Sequence, residues 1–539
     1  MLSYLYKLKN TGSDLKNTIK AYNLFLKGNA RTKDMKMHAF EKSADSRTLS
    51  SINKPAGASL FFTVSNLVAK GAAFIFTPIF TRLLTPMEYG EFSLFSSYLS
   101  VAVLVSGLEI PGAILMRALQ KEKELRNLTV LTAALTTFPL IIPTVLAIYY
   151  LRFGGGLTFS YAYPCLAISA FSLNVINVYL SFSKFLYRKL PSTVITLFQS
   201  AVAPIASILI LKTDVLKNLD HVSKKITTVS AHLLAIAVTL AVITSLAARK
   251  EIEDCRMSRR EVLSFSYKTA GFLLKLALPL LPYYFSVMMI SQTDKILISR
   301  FIGKSALAKY SVAYSAGIAP LAITSGIMGA LSPWIMRKIR SGEKESVKNA
   351  LDTAMTAAVP AISAFLCFAP DVFNFLAPEN YSEALPVLFI ISLIPIPLSL
   401  AQCASSAAIS KERVLGVLTC GIIPAVFSLC LNFIIVKRAP VWTLAIVSCT
   451  AYLLLSLLQI VNLKRSVGIN IVSIKATLIK LLLLALIAGV IYAAKDILYL
   501  RIALFLASSL YLLCMQKRVF SLLREKKEKS GSLFDKKKA

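Results

Sequence analysis

Six ionisable side chains stand inside or at the ends of long apolar stretches: Lys70, Arg82, Glu109, Asp294, Lys295 and Arg300. A charge near the centre of a hydrocarbon layer costs roughly 2.5 to 3.5 kcal/mol on insertion scales, so it faces water, a ligand or an opposite charge. Lys70 precedes Arg82 by twelve residues, about 18 Å along a helix that rises 1.5 Å per residue. That depth makes it a candidate cation for an anionic ligand held in a cavity. The competing reading is a buried structural pair with Glu109, which stands at similar depth beside Gly107 and Pro111. Glu109 is also a candidate proton or sodium site, subject to the same alternative. Asp294 and Lys295 close an apolar stretch near its outer end, where a solvated helix end is the simpler reading. Arg82 and Arg300 sit at span ends, where an arginine snorkels to the interface as readily as it binds an anion.

Chemistry of other kinds finds no support in the chain. There is no DxD, no HExxH and no Gly-rich phosphate loop, and His38, His221 and His232 are scattered. The eight cysteines form no CxxC, and all but Cys255 lie in apolar runs, where they read as small hydrophobes. The chain is therefore expected to be no enzyme, with no metal site and no cofactor beyond a coupling H+ or Na+, which stays open.

The elements that must position these charges follow from composition. The 539 residues are 56% hydrophobic and 16% charged, with a mean hydropathy of +0.66, outside the range of water-soluble domains. Apolar runs of about 20 residues, the length that spans a ~30 Å hydrocarbon core, recur from residue 58 almost to the C-terminus. Turn and charge punctuation predicts fourteen spans: roughly 58–80, 92–115, 127–150, 158–180, 194–211, 229–247, 271–293, 310–333, 351–370, 383–406, 414–436, 440–462, 476–494 and 499–515. Prolines at 139 and 143, 279 and 282, and 395 and 397 are expected to break or bend three of them. The fold class is thus all-α, a polytopic membrane protein.

The net charge of +33 lies mostly in short segments between apolar runs, with no single basic face of the kind nucleic acid requires. Short loops that stay in the cytoplasm keep Lys and Arg. Arg117 to Arg126, Lys184 to Lys189, Arg249 to Lys268 and Arg337 to Lys348 are rich in them, whereas Asp371 to Glu383 has none; the stretches Lys212 to Lys225 and Lys295 to Lys309 run against the pattern. Both termini are therefore expected on the cytoplasmic side. Residues 1–56 form a basic extension without a long apolar run, read either as a helix on an anionic membrane surface or as a disordered tail.

Thr81 to Tyr98 aligns without gaps on Ser299 to Ala316 at an offset of 218 residues, with Arg82 on Arg300, Phe92 on Tyr310 and Ser93 on Ser311. Six predicted spans separate the copies, so they share an orientation and form a parallel repeat. The runs FIFTPIFTRLLTPMEYGEFSLF (Phe74 to Phe95) and TDKILISRFIGKSALAKYSVAY (Thr293 to Tyr314) resemble the polysaccharide transporter family. This family comprises the O-antigen and lipid-linked oligosaccharide flippases of the multidrug, oligosaccharidyl-lipid and polysaccharide exporter superfamily. The resemblance implies two pseudo-symmetric six-helix lobes, at 57–250 and 271–463, around a central cavity. A basic linker at 251–270, two further helices at 464–516 and a basic tail at 517–539 complete the division. It also implies movement of an undecaprenyl-pyrophosphate-linked oligosaccharide across the bacterial inner membrane. The implied partners are that anionic glycan, membrane lipids and other polysaccharide assembly proteins. A cation-coupled multidrug exporter of the same superfamily is the runner-up, and a polysaccharide polymerase or ligase a more distant third.

The charge asymmetry generates a direct test. Reporter fusions after residues 85, 303 and 380 should read as periplasmic, and those after 122, 258, 342 and the C-terminus as cytoplasmic. Inverted readouts at most of these sites would end the orientation.

Overall fold

The computed structural model describes residues 74–111, 126–151, 162–185, 257–325, 344–410, 414–468 and 471–511, with short stretches within 193–253 and 328–335. The extension 1–56, Lys70, the tail 517–539 and most of the spans predicted at 58–80, 194–211 and 229–247 lie outside the described residues. Every described regular element is helical.

Helix α1 (Phe74–Leu83) leads into α2 (Pro86–Gly107) through a capping box. The Thr85 hydroxyl accepts from the Glu88 N–H, and the Glu88 carboxylate accepts from the Thr85 N–H at 2.8 Å. These bonds satisfy amide donors that have no partner inside a helix, and Pro86 supplies a φ already suited to the first turn. The helix stops where Leu108 and Glu109 take left-handed φ values of 49° and 53°. Residues with a Cβ adopt that conformation at a cost of roughly 1 to 2 kcal/mol. Glu109, expected inside the span, therefore lies just beyond the end of α2.

Helices α3 (Arg126–Leu151) and α4 (Ala162–Phe185) pack on each other and on α2. Of the two outcomes expected at Pro139 and Pro143, a break is absent: α3 runs continuously through both. Threonine hydroxyls bond carbonyls along the same helix, Thr136 to Thr132 at 2.7 Å and Thr144 to Leu140 at 2.6 Å.

The span predicted at 271–293 is two helices. A second capping box, Ser258 with Glu261, starts α5 (Arg259–Ala277) inside the stretch expected as linker, and its bonds hold the Glu261 carboxyl below the usual carboxylate range. Leu273 and Ala277 of α5 join Ile110, Val130, Ala133, Val178 and Phe182 in one buried cluster. Ser266 and Thr132 meet at 3.2 Å, so α5 seats on the adjoining ends of α2, α3 and α4. Pro279 and Pro282 flank the break, a turn covers 278–280, and α6 (Leu281–Phe301) follows. Gly303, at φ 128°, opens α7 (Lys304–Gly317), which ends short of the predicted span at a turn containing Pro320.

The rest comprises α8 (Lys344–Cys367), α9 (Ala369–Leu376), a 3-10 turn at Glu379–Ala384, α10 (Leu385–Ile391), α11 (Pro395–Ser410), α12 (Val414–Ile435), α13 (Trp442–Val467), α14 (Ile474–Ala493) and α15 (Leu498–Tyr511). Seven described helices are long and apolar enough to cross a membrane, and eight are reached if the pair bent by 43° ahead of Pro395 counts as one span. Of the expected fourteen, the spans at 58–80, 194–211 and 229–247 lie mostly outside the described residues, and α6, with Gln292, Asp294, Lys295 and Arg300, and α7, with 14 residues, fall short in hydropathy or length. Central α6 packs against α2, α7, α12 and α13. Ile422 and Phe433 of α12 and Leu482 and Leu486 of α14 turn apolar faces outward, as a lipid solvent demands.

Two ion pairs fasten the C-terminal helices. Lys480 of α14 reaches Asp352 of α8 at 2.6 Å, and Arg501 of α15 reaches Asp371 of α9 at 2.6 Å and the Cys367 carbonyl at 3.1 Å. Arg501 is 7% exposed, and its loss takes the donor from the buried Cys367 carbonyl, at a cost of about 1 to 3 kcal/mol, along with the pair to the half-exposed Asp371. Arg501→Ala should therefore lower the melting temperature in detergent. Arg249→Ala, which breaks a pair whose side chains are 78% and 64% exposed, should leave it unchanged.

Candidate functional site

A buried polar cluster forms where α6, α7 and α13 meet. Asp294, fully buried, accepts hydrogen bonds from the Tyr310 hydroxyl of α7, from Ser448 Oγ of α13 at 3.1 Å and from the Lys295 N–H at 2.7 Å. The expectation of a solvated helix end is thus overturned. Asp294 lies seven residues before the end of α6, and the neighbouring helices supply the donors that water would otherwise provide. The Lys295 ammonium lies 4.0 Å from the centroid of the Tyr314 ring, a cation over a π face. Tyr452 of α13 completes the cluster beside Tyr314 and Ser291. A buried network of this kind joins a carboxylate, a lysine and three phenols across three helices, and its bonds change together when any member gains or loses a proton or an ion.

The other candidate residues are placed elsewhere. Arg82 donates from Nη1 to the carbonyls of Pro78 at 3.0 Å and Phe375 at 3.1 Å. Beside it, the Thr81 hydroxyl donates to the Leu376 carbonyl at 2.7 Å. A cation at the C-terminal end of α9 complements the helix dipole, so Arg82 has a clear structural use. The Arg300 guanidinium lies 5.7 Å from the centroid of the Phe301 ring. Glu109 is half-buried and within electrostatic range of Tyr284 on α6. The suggested Lys70 pairing with Glu109 lies outside the described residues. Asp294 and Lys295 are thus brought into one cluster, which includes neither Glu109, Arg82 nor Arg300.

Tyr310, Ser448, Tyr314 and Tyr452 were not singled out in the sequence. One signal for Tyr310 was present: the repeat aligns it on Phe92, so the second copy carries a hydroxyl that the first lacks. Among the described residues no cluster of three or more His, Cys, Asp or Glu side chains has the spacing of a metal site.

The fold is similar to those of solved membrane transporters. It is similar to a lipid II flippase, MurJ, in an inward closed conformation, with a TM-score of 0.60 at 14% identity, over 86% of this chain and 99% of that one. It is also similar to multidrug resistance MATE family transporters of the MOP superfamily. The inward-facing form gives a TM-score of 0.52 at 12% identity, over 76% of this chain and 98% of that one. The outward-facing form gives 0.51 at 14%, over 77% and 96%. No curated protein matches the chain significantly in sequence. The profile of the polysaccharide biosynthesis protein family matches residues 58–339, and the chain belongs to that family. It is a multi-pass membrane protein.

The Asp294 network predicts coupled mutational effects. Tyr310→Phe and Asp294→Asn should each destabilise the protein, and the double variant should cost less than the sum, with a coupling of about 0.5 to 3 kcal/mol. Thermal unfolding in detergent measures it, and strict additivity would show that the two side chains act separately.

Proposed function

We propose that this protein is a flippase that carries an undecaprenyl-pyrophosphate-linked oligosaccharide, a repeat unit of O-antigen, capsule or exopolysaccharide, across the bacterial inner membrane by alternating access. The family match over residues 58–339 carries the reading. A fold similar to a lipid II flippase along nearly all of that chain's length supports it. In this reading the lobes at 57–250 and 271–463 rock about a central cavity, both termini face the cytoplasm, and no covalent bond is made or broken. Lys70, with Arg82 and Arg300 toward the outer ends, supplies positive potential for the pyrophosphate. Asp294, Lys295 and Glu109 are the groups through which a proton or sodium ion would bias the conformation.

A second reading is favoured by one observation. Export of cationic drugs needs a buried acidic group, and Asp294 is a fully buried carboxylate. The similarity to MATE transporters supports the same reading.

The two readings separate in reconstituted vesicles. The flippase reading expects a fluorescently tagged undecaprenyl-pyrophosphate disaccharide to cross the bilayer in the presence of the protein, with ethidium left on its original side. It also expects Lys70→Ala to insert at normal abundance but slow that movement, and Lys70→Arg to keep more of it. Ethidium transport without movement of the lipid would establish the exporter instead. Full rate in Lys70→Ala would remove that lysine from the cavity.

A further inference from the structure

Lys304 Nζ, in the first turn of α7, donates to Glu91 Oε2 of α2 at 2.6 Å. The partners are 213 residues apart in sequence, one in each copy of the repeat, and their side chains are 14% and 2% exposed. The residue before Glu91 is Gly90, where a Cβ would lie 1.8 Å from the Lys304 carbonyl oxygen. The two backbones thus touch through a position that admits only hydrogen. Pro86 and Lys304, the first residues of α2 and α7, are separated by the same 218 residues as the repeat. At this end too, Thr81 and Arg82 reach across to the carbonyls of Leu376 and Phe375. The two halves of the chain are therefore drawn together at one end of the molecule by an ion pair, a backbone contact and side-chain bonds.

The choice of a charged pair carries the argument further. Apolar side chains of similar volume in place of a buried ion pair are neutral or stabilising by about 1 to 4 kcal/mol, so a permanent seam gains nothing from charge. A seam that parts is different. Two apolar faces pulled apart would meet water at a cost of about 25 cal/mol for each Å², whereas a parted carboxylate and ammonium recover their hydration. Charge at this contact lowers the barrier to opening while still defining a closed register. Gly90 makes the closed register sharp, because the contact is made by rigid backbone.

We propose that Glu91, Lys304 and Gly90 form a latch that closes the two halves at the end away from the basic loops and parts once in each transport cycle. The proposal rests on the transport reading for its purpose, and its geometry can be tested without any substrate. Ser311 is a suitable reporter: it lies two turns beyond Lys304 on the same face of α7, is 7% exposed and has a hydroxyl without a hydrogen-bond partner.

In a chain whose native cysteines have been replaced, Ser311→Cys should react slowly with a charged, membrane-impermeant methanethiosulfonate. Adding Lys304→Glu or Gly90→Leu should raise the rate by roughly tenfold or more, from one side of the membrane only, as the closed state loses its buried pair or its close contact. The exchange Glu91→Lys with Lys304→Glu should bring the rate back toward that of the parent. Size-exclusion profiles and circular dichroism establish that each variant is folded. Separately, Glu91→Cys with Lys304→Cys, bridged by a short bis-methanethiosulfonate, should stop movement of the tagged undecaprenyl-pyrophosphate disaccharide, and dithiothreitol should restore it. Unchanged labelling in both folded single variants, or full movement in the bridged protein, would overturn the latch. Labelling that follows the latch while no lipid moves in any variant would support the gate and remove the flippase reading instead.

Discussion

A carboxylate taken out of water must be answered by donors that the protein supplies, because its desolvation costs several kcal/mol even after relaxation. Asp294 sets that demand at the centre of the bundle, and the packing around it follows. Central α6 carries the acid, α7 must present Tyr310 to it, and α13 must present Ser448. The register of three helices is thereby tied to one side chain, in a region where apolar contacts alone would accept several neighbouring registers. Tyr283 of α6 adds a further tie, donating to Ser405 of α11 at 3.1 Å.

Helix α7 links this network to the seam between the halves. Lys304 and Tyr310 are six residues apart on it, about 9 Å along the axis, and both side chains engage partners outside their own helix. A helix of 14 residues moves as a rigid body, so where Lys304 leaves Glu91 by a shift of α7 against α6, the bond from Tyr310 to Asp294 is strained as well. Any ion or proton that changes the Asp294 bonds acts on the same lever from its other end. Coupling of this kind needs only a two-state element whose position both sites bias.

Much of this was legible in the sequence, and the remainder was hidden for identifiable reasons. Apolar periodicity and length announced an all-helical bundle, the repeat offset of 218 reappears in the starts of α2 and α7, and the bend ahead of Pro395 follows from proline chemistry. The burial of Asp294 is hidden because the apolar run from residue 271 conceals a helix break at 278–280, around Pro279. Counting from the apparent start put the outer end of the span at 293, whereas α6 continues to Phe301. The break at Glu109 is hidden because left-handed backbone at Leu108 and Glu109 has no signature in residues that carry a Cβ. Ser448, 154 residues from Asp294, belongs to a contact that no local pattern can announce.

The two aligned segments differ at the positions that make these contacts. At an offset of 218, Glu91 corresponds to Lys309 and Lys304 to Pro86. Had both copies kept identical residues, contacts related by the repeat would occur twice, as across an isologous interface. Here one member of each corresponding pair has changed: Glu91 meets Lys304, while Lys309 turns to Glu383 at 2.8 Å on the exposed edge of its own half. The same holds one residue on, where Phe92 has no hydroxyl and its counterpart Tyr310 supplies the bond to Asp294. The charge that meets Glu91 and the hydroxyl that answers the buried acid thus both fall on α7. The helix at the same place in the first copy, α2, keeps the glycine and the carboxylate that receive it.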